Sequence, residues 1–145
     1  EWLFSKKITS KVMSTFRGAQ NIKNIPQRLF ENNVNATTFS YVFSGCTGLT
    51  SIPEGLFKNN VNATTFSCVF SECTGLTNIP ERLFENNVNI TSSYGVFSGC
   101  TRLTIIPEVI IEFAKKVKEK GGNTNSMFRH CTSASNYASI PDYMK

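Results

Sequence analysis

Aspartate and histidine each occur once in these 145 residues, as Asp142 and His130, and tryptophan occurs once. So small a supply of imidazole and of aspartate leaves few of the groups on which acid–base and metal chemistry depend. Charged residues make up only 17% of the chain, while 40% are hydrophobic and 12 are Phe, which excludes a disordered polyampholyte. No run approaches the roughly 18 consecutive apolar residues of a membrane span. The apolar stretch from Ile105 to Phe113 is interrupted by Pro107 and two glutamates. No basic start followed by an apolar region and a small-residue cleavage site is present. The net charge of +5 reflects scarce acids, nine Glu and one Asp against 15 Lys and Arg. Scattered over the chain, that excess reads as solubility charge rather than a nucleic-acid surface.

What the chain has in abundance is repetition. Ile-Pro recurs at Pro26, Pro53, Pro80 and Pro107 with a step of 27 residues, and again at Pro141 after 34. Cys46, Cys73 and Cys100 keep the 27-residue step, and Cys131 follows 31 later. Phe16, Phe43, Phe70, Phe97 and Phe128 each stand three positions before that column, whose first member is Ala19. Several columns sharing one period predict stacked structural repeats that bury their apolar residues against one another. The units run about 16–42, 43–69, 70–96, 97–127 and 128–145, after a partial repeat or cap at 1–15. Trp2, Leu3 and Phe4 are candidates to cover the first coil. A chain starting and ending within a repeat reads as a piece of a longer protein, or as one whose end faces meet other subunits.

Local patterns fill in the unit. Pro26 and its equivalents suit a first helical turn, and Asn32-Asn33 a helix end. Phe39, Val42, Phe43 and Cys46 follow helical spacing, with Gly45 as terminator. Leu49 to Ile52, short and bounded by turn signals, reads as a strand. The fold class expected is therefore α/β: a solenoid of four to five coils, with a parallel sheet on one face and short helices on the other. Strands of successive coils would lie about 4.8 Å apart.

The segments FSGCTGLTSIP and FSECTGLTNIP, with NVNATTFSYVFSGC, resemble the leucine-rich repeats of BspA-like bacterial surface proteins. The resemblance spans about Met13 to Pro141, with a longer unit than is common there. It implies a leucine-rich-repeat fold, a secreted or cell-surface location, adhesive or protein-binding roles and no catalytic residues.

Glu108 to Lys120 reads as a longer helix with an apolar stripe of Val109, Ile110, Phe113, Ala114 and Val117. Its lysines 115, 116, 118 and 120 form either a solvated face or a patch for acidic partners. The repeat-phased cysteines read as buried free thiols, since side chains pointing the same way seldom meet disulfide torsions. Cys68, off that column, is the candidate for an exposed or intermolecular thiol, with simple packing the alternative. His130 beside Cys131 suggests a Cys–His pair, but the cysteine belongs to the structural column. Asn35, Asn62 and Asn89 head N-x-Thr sequons at one phase, readable as an asparagine ladder between coils or as glycosylation sites.

The outward sheet face would carry Lys23, Asn24, Thr50, Ser51, Thr77, Asn78, Arg102 and Thr104. These are the candidate ligand-binding residues, polar and nearly acid-free. No metal-ligand spacing or cofactor motif is present. The function expected is a non-enzymatic binding or adhesion module recognising host protein or glycan. Its alternative is a structural spacer or assembly element of a surface layer or phage appendage. Neither reading involves nucleic acid or a membrane span, and the ends would contact neighbouring domains or subunits.

Overall fold

A computed structural model describes residues 12–145; the partial repeat and Trp2-Leu3-Phe4 cap fall almost wholly outside that range. Successive 27-residue units do stack coil upon coil, but not through a sheet. Among the described residues the parallel pairing amounts to isolated bridges, Thr38 with Thr65, Thr65 with Ser92 and Ser92 with Asn123. The regular elements there are one α-helix, α1 (Glu108–Glu119), and two short 3-10 turns, Tyr137–Ser139 and Asp142–Met144. The parallel-sheet leucine-rich-repeat solenoid expected from the sequence is therefore wrong. The sheet-based leucine-rich-repeat description falls with that sheet, and nothing in the structure supports adhesion or secretion.

The hydrogen bonds explain why no sheet forms. In the expected strand, the Leu49 N–H is spent locally on the Cys46 carbonyl at 3.0 Å, and Pro53 has no N–H to offer. Thr50 is left to reach the neighbouring coil, donating to the Lys23 carbonyl at 3.2 Å. Such a bond recurs from Thr104 to the Thr77 carbonyl, and isolated bonds of this kind are an edge-to-edge tether, not a ladder.

The expected helix over Phe39 to Cys46 fails for a different reason. Tyr41 and Gly45 are left-handed, with φ of 60° and 75°, which no right-handed helix accommodates. The segment instead folds as overlapping turns: the N–H groups of Val42, Ser44 and Cys46 donate to the carbonyls of Phe39, Tyr41 and Phe43. A left-handed third residue is the type II geometry. The alternate N–H groups, of Phe39, Tyr41, Phe43 and Gly45, are then free to point along the stack. They donate to the carbonyls of Thr65, Ser67, Val69 and Ser71 in the next coil at 2.8–3.0 Å. The same pattern recurs one unit on, from Phe66, Cys68, Phe70 and Glu72. Left-handed geometry outside the exit of the longer helix at Gly121 accordingly falls in two repeat-phased columns, Ser14, Tyr41, Cys68, Gly95 and Ser126, and Gly18, Gly45, Glu72, Gly99 and His130. The Asn32-Asn33 pair, read from the sequence as a helix end, is not among them.

Side chains reinforce the stack by self-matching. Phe16, Phe43, Phe70, Phe97 and Phe128 form one column of stacked rings with centroids 5.5–5.7 Å apart. Phe30, Phe57, Phe84 and Phe113 form a second. The phased cysteines are buried and free, and each donates its S–H to a carbonyl of the preceding coil: Cys46 to Phe16, Cys73 to Phe43, Cys100 to Phe70 and Cys131 to Phe97, at 3.1–3.2 Å. The asparagine ladder is equally explicit. Asn62 donates to the Val34 carbonyl at 2.9 Å and Asn89 to that of Val61 at 3.0 Å. Buried Asn60 and Asn87 each bridge two carbonyls of the coil before.

The fourth unit breaks this regularity. ERLFENNVN of the third unit is followed, one phase later, by EVIIEFAKKVKEK, whose good helix formers and i, i+4 pattern make α1. Its core-facing residues are Ile110, Ile111, Ala114 and Val117. Val109, assigned to the apolar stripe from sequence, is instead 54% exposed, and Ile111 takes its place inside. The chain leaves α1 through Gly121 and Gly122, where Gly122 approaches the Thr91 carbonyl so closely that a Cβ would lie 2.7 Å from it. No helix among the described residues is long and apolar enough to cross a membrane.

Candidate functional site

The polar residues nominated from the sequence do gather, though along a tethered edge and not on a sheet. The Lys23 carbonyl accepts from both the N–H and the hydroxyl of Thr50, and the Thr77 carbonyl likewise from Thr104. Ser51 donates to Asn24 Oδ1 at 3.4 Å, and Thr77 to Asn78 Oδ1. Arg102 is exposed. The threonine hydroxyls are thus partly occupied in joining coils, which limits what they offer a ligand.

A deeper feature lies where α1 meets the third coil. In the regular coils, the turn carrying Asn-Asn-Val-Asn is covered by the same turn one unit later: Asn59 and Asn62 donate to the carbonyls of Glu31 and Val34, and Asn86 and Asn89 to those of Lys58 and Val61. The residues 27 positions beyond Asn86, Asn87 and Asn89 are Phe113, Ala114 and Lys116. None of them carries an amide, so the ladder stops at the third coil. A straight helix also cannot follow the contour of a turn, and it leaves a groove of about 400 Å³. Its apolar wall is supplied by Phe84, Val88, Ile90, Val109, Phe113 and Val117. Val88 is 66% exposed, the most open of the large apolar residues among the described residues.

Charge is sorted along this groove. Glu81, Glu85, Glu108 and Glu112 line one part of it, and Lys116 and Lys120 another. Glu85 pairs with Arg82 at 2.9 Å and Glu112 with Lys115 at 2.7 Å. The hydrogen bond from Lys115 holds the Glu112 carboxyl below its usual range. The lysines read as one face therefore divide: Lys115 is paired, Lys118 lies 4.3 Å from the Tyr143 ring centre, and Lys116 and Lys120 line the groove. Asn87, only 2% exposed, also lines it, with its Oδ1 unpartnered. Sequence reasoning missed this site. Its signal was the loss of Asn-Asn-Val-Asn in the fourth unit, together with Glu108, Glu112, Lys116 and Lys120 at steps of four.

The thiols occupy chemically quiet positions. Burial pushes Cys46 up to about 11 and Cys131 up to about 12, and it raises Cys73 and Cys100 as well. Cys68, nominated as an exposed thiol, is only 8% exposed; burial raises it despite a hydrogen bond with Tyr41. His130 is exposed, while the neighbouring Cys131 is buried and directs its S–H at Phe97. Among the described residues, no three His, Cys, Asp or Glu side chains are grouped to hold a metal ion.

Comparison with protein-family models, with curated proteins and with solved structures finds no match to this chain.

Proposed function

We propose that this chain is a non-enzymatic binding module, in which the coil stack is a rigid support and the groove between the third coil and α1 is the ligand site. The observation that carries this reading is the apolar groove of about 400 Å³, a volume within the usual range for small-ligand sites, with a few polar groups at its margins. The stack favours a supporting role because each coil is fixed to the next by backbone bonds, thiols and ring columns. The raised thiols favour a non-catalytic reading, since the thiolate is the reactive form of cysteine.

The test uses the neutral fluorescent dye N-phenyl-1-naphthylamine. Saturable enhancement at one site per chain is expected. The double variant Val88→Asn, Val109→Asn alters two exposed groove residues and should weaken dye binding at least tenfold while leaving the melting temperature nearly unchanged. A parent chain with no saturable site, or a variant that binds like the parent, would sink the proposal.

A further inference from the structure

We infer that the groove takes a short peptide with free termini, three or four residues long and apolar between its ends. This inference rests on the groove being the binding site. Four of the chain's nine glutamates line one groove. Glu108 and Glu112 lie one turn apart on α1, and Glu81 and Glu85 each stand 27 residues before one of them, so the coil repeat sets the two pairs against each other. Arg82 and Lys115 neutralise two of these carboxylates, which leaves two in excess for a cation. Continuing the same steps of four, Lys116 and Lys120 provide the opposite sign further along the groove.

The spacing sets the length of the occupant. At about 1.5 Å of rise per residue, the midpoint of the glutamate pair on α1 and that of the lysine pair are about 12 Å apart. Extended backbone covers about 3.3–3.6 Å per residue, so three or four residues span the gap. A terminal ammonium then meets the glutamates and a terminal carboxylate the lysines, with apolar side chains against Phe84, Val88, Val109 and Phe113.

The third-coil side of the groove provides hydrogen-bond acceptors for such a backbone. The carbonyls of Glu85 and Val88 occupy the phase at which Lys58 and Val61 accept from Asn86 and Asn89, and α1 brings no amide to them.

The experiment is calorimetric titration of the full chain with Leu-Val-Leu, its N-acetyl and C-amide forms, and the doubly blocked peptide. The free peptide should bind at one site, and blocking either end should weaken it tenfold or more. Glu81→Gln with Glu108→Gln should reduce the free peptide to the affinity of its N-acetyl form. Lys116→Gln with Lys120→Gln should reduce it to that of the amide. Doubly blocked peptide binding as tightly as the free one overturns the inference, as does either charge variant binding the free peptide like the parent. If the naphthylamine dye binds but no peptide displaces it, the inference fails while the binding-site reading stands. If the dye finds no saturable site, both fail.

Discussion

Replacing Phe70 with alanine tests the ring columns at their centre. Phe70 is fully buried, with Phe43 stacked at 5.6 Å and 3° on one side and Phe97 at 5.7 Å and 6° on the other. Phe57 approaches in addition at 6.3 Å in a tilted contact. Because the coils on both sides are held apart by backbone bonds, the site cannot collapse onto the vacancy, and a buried Phe→Ala change of this kind costs about 3–5 kcal/mol. Phe128 supplies the internal control. It is equally buried, but among the described residues its stacked ring neighbour is Phe97 alone. With each ring pair worth about 0.5–1.5 kcal/mol beyond area, Phe128→Ala should cost less than Phe70→Ala by roughly that amount. Urea denaturation followed by both far- and near-ultraviolet circular dichroism measures the two, and agreement of the probes establishes that the stack unfolds as a unit. A loss below about 1 kcal/mol for Phe70→Ala, or a larger loss at Phe128, would refute the stacked-column account.

Two further perturbations probe coil spacing and the thiol ladder. A Cβ on Gly75 would lie 2.7 Å from the Thr47 carbonyl oxygen and 3.0 Å from that of Leu49. Gly75→Ala should therefore push the coils apart and cost about 1–3 kcal/mol, as overpacking does; an unchanged urea midpoint would refute that spacing. The buried thiols keep their protons at pH values where an unfolded chain releases them, so alkali favours unfolding. Their contribution is complete below about pH 9 and is lost as pH rises through about 11 for Cys46 and about 12 for Cys131. Melting temperature should fall over that range, less steeply in Cys46→Ala, and a parallel profile for parent and variant would remove the thiol contribution. At pH 8 the native chain should leave a disulfide reagent unreacted, and denaturant should expose all five cysteines.

The stacking was legible in the sequence because each column repeats its own chemistry: Phe over Phe, Cys over Cys and Asn over Asn at a single step. The asparagine-ladder reading of Asn62 and Asn89 came from this regularity, and the structure supplies its partners. The sheet was misread for a local reason. Leu49 to Ile52 has strand composition, but its neighbours Cys46 and Pro53 remove the hydrogen-bonding groups that pairing needs. The turns were hidden by the occupants of the left-handed columns. Gly45 and Gly99 announce such geometry, whereas Tyr41, Cys68, Glu72 and His130 do not. The groove was readable only as a missing motif, since Phe113, Ala114 and Lys116 look unremarkable until set beside the asparagines of the coil before.

The alternating direction of the bonds between coils has a consequence for length. Along one edge Phe39, Tyr41, Phe43 and Gly45 donate forward, while Thr64 and the phased cysteines donate backward. Each coil thus has two unlike faces, and the leading face of one fits only the trailing face of another. Whole 27-residue segments can in principle be removed or duplicated at any phase with every column restored, as when Gly55 to Glu81 is excised and Glu54 joins Arg82. Taking out 26 residues instead would set phenylalanine against its neighbours and leave each donor facing a donor or nothing. Among the regular coils the size is therefore quantised in complete turns, and the longer fourth unit keeps Phe128 and Cys131 in their columns because α1 and its exit take up the four extra residues outside the columns.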